Sequence, residues 1–99
     1  MIRHLVMFEW KDGTTAEQIQ AVVEGLSRLP SEITEIAAYS FGTDLGLTEG
    51  AADFAVVADF VSVEDWRAYL AHPAHVRVVE ELVVPIRESR VVVQFEIEE

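Results

Sequence analysis

The chain contains four segments that are rich in apolar, β-forming residues. Between the first two lies a segment in which apolar residues have helical spacing. The four predicted strands cover residues 2–10, 33–42, 53–61 and 89–98. After the first strand, apolar residues recur with a period of about 3.6, which predicts an amphipathic helix: Ile19, Val22, Val23, Leu26 and Leu29. Thr14 and Glu17 have the spacing of a capping box at its start, and Pro30 is predicted to end it.

A second helical region follows the third strand. Ser62 is predicted to cap a short helix that runs to Leu70, with Asp65 as its acidic third position. Pro73 cannot continue that helix, but it can open a new one that runs to about Val84. The order βαββαβ predicts a single α+β domain over residues 1–99, a ferredoxin-like four-stranded antiparallel sheet with both helices on one face.

Both faces of this sheet are apolar. In the first strand Leu5 and Met7 point to one side, and a second set points to the other: His4, Val6, Phe8 and Trp10. The last strand adds an apolar row, Val91, Val93, Phe95 and Ile97. Two helices cover only one face, so we expect a homodimer in which two sheets pack face to face as a dimeric α/β barrel. We expect on the order of 1,600 Å² of buried area and assign the face that carries His4 to the barrel interior.

Composition and net charge exclude several classes of binding partner. The net charge of −11 disfavours nucleic acids and anionic membrane surfaces, because both are recognised through Lys and Arg. The chain has no cysteine, no signal peptide pattern and no apolar run long enough to span a membrane. We therefore expect a cytoplasmic protein. No glycine-rich loop with phosphate-binding spacing is present, so nucleotide binding is unsupported. We expect no cofactor.

The residues that can carry chemistry cluster around the break between the two helical pieces. Tyr69, His72 and His75 lie there, and His4 lies on the first strand. A histidine can take a proton near neutral pH, and a tyrosine hydroxyl can hold a carbonyl oxygen as charge builds on it. Structural roles remain open beside this: a cap for His72, core packing for Tyr69 and a half-buried, hydrogen-bonded ring for His75. A metal site formed by the three histidines is a weaker alternative.

Three motifs carry a resemblance to a known family. They are His4-x-Val6-x-Phe8 followed by Lys11, then Phe60-x-Ser62-x-Glu64, and Tyr69-x-x-His72-Pro73-x-His75. Over essentially its whole length the sequence resembles the stress-responsive dimeric α/β-barrel (Dabb) proteins, which implies the homodimeric ferredoxin-like barrel.

Plant polyketide cyclases such as olivetolic acid cyclase are similar to this family and use a Tyr/His pair in a cavity. The resemblance implies that Tyr69 binds the carbonyl and that His75 is the general base. The implied ligand-binding wall comprises His4, Val6, Phe8, Phe54, Trp66 and His72.

Three functions remain open from the sequence. The first is a homodimeric barrel of unassigned biochemical role that binds a small apolar ligand. The second is a cofactor-independent enzyme, similar to a polyketide cyclase or a barrel monooxygenase, that uses the Tyr/His pair. The third is a non-catalytic, stress-linked structural protein. An open cavity at His4, Tyr69 and His75 would favour the first two, and a solidly packed core would favour the third.

Overall fold

Four antiparallel strands form one sheet in the computed structural model, which describes residues 1–98. Glu99, the last residue of the predicted domain, lies outside the described residues. The elements are β1 (Ile2–Trp10), α1 (Ala16–Glu32), β2 (Ala38–Thr43), β3 (Phe54–Phe60), α2 (Val63–Ala71), α3 (Pro73–Val78) and β4 (Arg87–Glu96). The strand order is β2-β3-β1-β4. The predicted ferredoxin-like βαββαβ fold is confirmed.

Both predicted ends of α1 need correction. The N-cap is Thr15, not Thr14, and the capping box joins Thr15 to Gln18 rather than Thr14 to Glu17. Thr14 instead donates its hydroxyl to the carbonyl of Lys11, in the turn before the helix. Pro30 does not end the helix, which continues to Glu32. The last turn persists because the fully buried Ile33 packs into the core and donates its N–H to the carbonyl of Leu29.

The break between α2 and α3 positions the candidate residues. Ser62 caps α2 as predicted, since its hydroxyl accepts from the N–H of Asp65 at 3.1 Å. Pro73 opens α3 as its first residue. The predicted single helix to Val84 is wrong in its second half, because residues Val79–Val83 wind as a π-helix. There the N–H of Val84 reaches the carbonyl of Val79, five residues back.

Two strands start elsewhere than predicted. β2 begins at Ala38 instead of residue 33, because Ile33 closes α1 and accepts the N–H of Ile36 in a turn. β4 covers Arg87–Glu96 rather than residues 89–98, and it pairs with β1 along its length.

The helices cover one face of the sheet and form the hydrophobic core with it. β1 and β3 contribute the buried residues His4, Val6, Phe8, Phe54, Val56, Ala58 and Phe60, and α1 contributes Val22, Leu26 and Leu29. His4 therefore lies between the sheet and the helices, and its assignment to the barrel interior is wrong. Alternation correctly separated the two sets of residues, but both sets are apolar, so it did not show which set the helices cover.

Close contact between α1 and α3 depends on Gly25. A Cβ atom at this position would lie 3.0 Å from Cδ1 of Leu82 and 3.3 Å from the methyl groups of Val78. The absence of a side chain lets α1 approach the segment that follows His75. Gly25 thereby helps to hold α3 against the rest of the core.

The other face of the sheet has no helix over it. We call this surface the open sheet face, and its apolar residues are Leu5, Met7, Ala55, Val57, Val91, Val93 and Phe95. Arg3 and Asp59 lie opposite each other on the same face and form a two-pronged ion pair, with N–O distances of 2.8 and 2.9 Å. The Arg3 hydrogen bond holds the pKa of Asp59 below its usual value. Among the helices of residues 1–98, none is long and apolar enough to cross a bilayer.

Candidate functional site

Tyr69 and His75, which the sequence places on either side of the helix break, lie in direct contact. Their ring centroids are 4.2 Å apart. Tyr69 is buried near the end of α2, where it also packs 5.0 Å from the ring of Phe60 on β3. The break at His72–Pro73 turns the chain so that residues of α2 and α3 meet, which a continuous helix with the same spacing would not achieve as closely.

A backbone carbonyl fixes the orientation of the His75 ring. Nδ1 of His75 lies 3.3 Å from the carbonyl oxygen of Leu70. A carbonyl only accepts, so Nδ1 carries the hydrogen and Nε2 of the neutral ring has a free lone pair. Burial lowers the pKa of His75 below its usual 6.5, against the smaller opposing effect of the Leu70 bond. His75 is consequently neutral at pH 7, and its Nε2 can act as a base.

A second tyrosine is hydrogen-bonded to Tyr69. The hydroxyl oxygens of Tyr39, on β2, and Tyr69 are 3.1 Å apart. Burial raises the pKa of Tyr69 to about 12, and it raises that of Tyr39 further. Both hydroxyls are therefore protonated at neutral pH. One hydrogen makes the bond between them, which leaves the other free for a ligand oxygen.

His4 completes the cluster from the sheet side. Its ring centroid is 6.3 Å from that of Tyr69. Nδ1 of His4 lies 3.4 Å from Nε1 of Trp66 and 2.9 Å from Nε2 of Gln94. The indole N–H only donates, so Nδ1 accepts and the hydrogen of the neutral ring is on Nε2. Burial lowers the pKa of His4, so this neutral form persists at pH 7.

The other predicted wall residues lie at different distances from His4. Trp66 belongs to the cluster, with its ring centroid 6.2 Å from that of His4. Phe8 and Phe54 pair with each other four residues further along their strands, about 13 Å from His4. Val6 lies between these two ends of the core.

His72 has a capping role. Its Nδ1 accepts the N–H of Ala74 at 3.1 Å, at the N-terminus of α3. This agrees with the structural alternative considered for His72. Within residues 1–98, no three His, Cys, Asp or Glu side chains gather in an arrangement that could hold a metal ion.

Chemically, the cluster combines donors with one base. The hydroxyl of the Tyr39–Tyr69 pair and Nε2–H of His4 can donate, and Nε2 of His75 can accept. All four groups are uncharged at pH 7. This combination suits a neutral ligand with a carbonyl oxygen beside an acidic hydrogen.

Of three concavities on the surface, one borders the cluster, through Trp66 and Gln94. The largest of three, about 750 Å³, lies on the open sheet face under the loop of residues 44–53. Two smaller ones measure about 220 and 210 Å³. As described for residues 1–98, none of the three is lined by His4, Tyr69 or His75. Within the cluster Tyr69 and His4 are buried and His75 is half-buried, so a ligand can reach the Tyr69 hydroxyl only if side chains move.

Sequence reasoning missed two members of the cluster, Tyr39 and Gln94. Tyr39 lies on the covered side of β2, and its register opposite Ala58 brings it near Tyr69. Gln94 lies directly opposite His4 in the β1–β4 pairing. Gln94 follows three valines in β4, but only the register shows that its amide faces His4.

Comparisons with known proteins identify the family and agree with the fold. The sequence model of the Stress responsive A/B Barrel Domain family matches residues 2–97. The chain is 29% identical over 77 residues to the stress-response A/B barrel domain-containing protein HS1 of Arabidopsis thaliana, which covers 76% of this chain and 71% of that protein.

Two solved structures are similar throughout. A dimeric ferredoxin-like protein of unknown function from Thermobifida fusca has a TM-score of 0.91 and 44% identity, with 97% of this chain and 90% of that chain covered. A hydroxynitrile lyase from Passiflora edulis has a TM-score of 0.85 and 25% identity, with 99% and 94% covered.

Proposed function

This chain belongs to the stress-responsive A/B barrel domain family, and from that premise we propose that it acts as a homodimer whose Tyr69–His75 pair binds a small, largely apolar carbonyl compound. The observation that carries the proposal is the contact of these two rings at 4.2 Å, with the lone pair of His75 Nε2 left free by the Leu70 bond. The biochemical role of the bound compound is unassigned.

The open sheet face supports the homodimer. Its apolar residues include Val91, Val93 and Phe95, which are all exposed in the single chain. Such a contiguous apolar surface is rare on a monomer. The related Thermobifida protein is dimeric. A second copy packed on this face would also cover the concavity of about 750 Å³, whose lining contains no histidine or tyrosine.

The charges of the molecule support a neutral ligand. The chain carries a net charge of −11, and the cluster offers only neutral groups at pH 7. A carboxylate would therefore lose its hydration without gaining a cation in return. A ketone or aldehyde oxygen can accept the free tyrosine hydrogen without the cost of dehydrating a charge.

Acid–base catalysis on the bound compound is the second candidate, and the orientation of His75 favours it. For an acidic C–H beside a carbonyl, Nε2 would take the proton while the enolate oxygen accepts the hydrogen bond of Tyr69. For a cyanohydrin, Nε2 would take the hydroxyl proton, the bond to the nitrile carbon would break, and cyanide would leave with the electron pair and regain the proton as HCN. The similar Passiflora protein is a hydroxynitrile lyase.

Calorimetric titration with phenacyl alcohol, a neutral aromatic ketone with a hydroxyl on the adjacent carbon, tests the binding proposal. We expect saturable binding at pH 7 and no binding of mandelate, which has a hydroxyl in place of the ketone oxygen and a carboxylate in place of the CH2OH group. Tyr69→Phe should weaken binding about fivefold to tenfold, because it removes one hydrogen bond to the ketone. Arg67→Gln, an exposed position on the same helix, is the matched control and should leave the affinity unchanged.

Turnover of mandelonitrile and of a panel of β-polyketones separates the two candidates. If His75→Gln and the wild type react at equal rates, catalysis by this pair is excluded and the binding role remains. If the wild type also fails to bind phenacyl alcohol, the cluster is structural. The role of a non-catalytic structural protein then replaces both ligand binding and catalysis.

A further inference from the structure

A small cleft lies next to the cluster, between the first turns of α2 and the edge strand β4. It measures about 210 Å³ and is lined by Ile2, Val63, Trp66, Gln94, Phe95 and Glu96. Trp66 and Gln94 are also the two residues that donate to Nδ1 of His4. The cleft and the cluster of His4, Tyr69 and His75 are thus separated by these two side chains.

The two bonds to His4 differ in strength. An imidazole nitrogen offers one lone pair in the ring plane, and here two donors share it. The Gln94 bond is 2.9 Å long, whereas the Trp66 bond, at 3.4 Å, is near the limit for a hydrogen bond. If Trp66 moves outwards, His4 stays bonded to Gln94, and the indole N–H of the half-buried Trp66 reaches water. The movement leaves no buried polar group unsatisfied.

The size of the cleft indicates what it holds. Sites for small organic molecules usually measure roughly 300–1,000 Å³. At about 210 Å³ the cleft would accommodate only part of such a ligand, and the remainder would have room only where Trp66 moves away from His4. Trp66 is thus the inner wall of the cleft, and the cluster lies behind it.

We propose that this cleft is the entrance to the Tyr69–His75 site and that Trp66 is its movable wall and specificity-determining residue, which admits a neutral, flat aromatic carbonyl compound. The aromatic part remains in the cleft against the indole, and the carbonyl end reaches the tyrosine hydroxyls. Glu96 in the lining and the acidic surface exclude carboxylates. This inference rests on the proposed function and adds the route and the class of ligand.

Fluorescence of a single-tryptophan protein tests the entrance. The chain has two tryptophans, and Trp10 packs on Phe8 and Phe54 at the other end of the core, so Trp10→Phe isolates the Trp66 emission. Phenacyl alcohol should quench this emission saturably. The concentration for half-maximal quenching should equal the dissociation constant that calorimetry gives. Mandelate should leave it unchanged.

The rate at which phenacyl alcohol associates, measured by stopped flow, tests whether Trp66 is a movable wall. Trp66→Phe keeps an aromatic ring but removes the bond to His4, so the association rate constant should rise about fivefold. Trp66→Ala should raise it further, and Arg67→Ala, at an exposed position of the same helix, should leave it unchanged. If calorimetry shows binding but the Trp66 emission and both Trp66 variants do not respond, the entrance is elsewhere and the proposed function stands. If no binding occurs, both proposals fail.

Discussion

Replacing Val93 by aspartate should convert the homodimer into a monomer. Val93 lies in the open sheet face, opposite Leu5, and it is 45% exposed in the single chain. In a two-fold symmetric dimer the substitution would place two unpaired carboxylates in one interface, and desolvation costs several kcal/mol for each. We expect the dimer dissociation constant to rise about a thousandfold or more, which corresponds to about 4 kcal/mol. Sedimentation velocity at micromolar concentration measures it.

Val84→Asp is the matched control for this change. Val84 is 41% exposed, nearly the same as Val93, but it follows the π-helical segment and lies outside the sheet. The control adds the same charge and should leave the dimer intact. A dimer that persists in Val93→Asp would show that the open sheet face is not the interface.

Phe60→Ala should have the largest effect on the fold and should abolish the site with it. Phe60 is fully buried at the end of β3, and its ring packs 5.0 Å from that of Tyr69. Removing a buried phenylalanine leaves a cavity and costs about 3–5 kcal/mol of unfolding free energy. The cavity would lie beside Tyr69 and release its ring. Urea unfolding at a fixed protein concentration measures the loss, and phenacyl alcohol binding should disappear.

The adjacent Val61 provides the control, because it is 64% exposed. Val61→Ala should change the unfolding free energy by less than about 0.5 kcal/mol. Equal losses in the two variants would contradict the assignment of Phe60 to the core beneath Tyr69.

The order of elements was predictable because each one has a local signal. Ser62 supplies an acceptor for the N–H of Asp65, and Pro73 supplies a helix start, wherever the rest of the chain lies. Boundaries were less predictable where two signals compete. Pro30 favours a helix end, but burial of Ile33 extends α1 beyond it. The π-helical turn before Val84 has no signal in the sequence that we recognise.

The side of the sheet on which the candidate residues lie was not predictable by the same reasoning. Alternation placed His4 and Leu5 on opposite faces, and both faces are apolar. Only packing shows that α1 and α2 cover the face of His4. Contacts that depend on strand register, such as Gln94 with His4 and Tyr39 with Tyr69, also required the three-dimensional structure.

The contact of Tyr69 with His75 required only short-range information. The two residues are six positions apart, and a proline-opened helix between them brings them together. Their chemistry depends on longer-range features: the Leu70 carbonyl sets the His75 tautomer, and Tyr39 shares a hydrogen bond with Tyr69. The sequence therefore identifies Tyr69 and His75 as a candidate pair, but it does not show which ring nitrogen of His75 carries the hydrogen.

Nitrogen NMR spectra of the histidine rings at pH 7, recorded with and without saturating phenacyl alcohol, test the central claim most directly. The chain has only three histidines, so the signals are few. We expect the hydrogen of His75 on Nδ1 and that of His4 on Nε2, and a saturable shift of the His75 Nε2 signal as its lone pair accepts the hydroxyl of the probe. A charged His75 ring, the opposite tautomer, or an unchanged Nε2 signal at saturating probe would contradict the claim that Tyr69 and His75 bind a carbonyl compound.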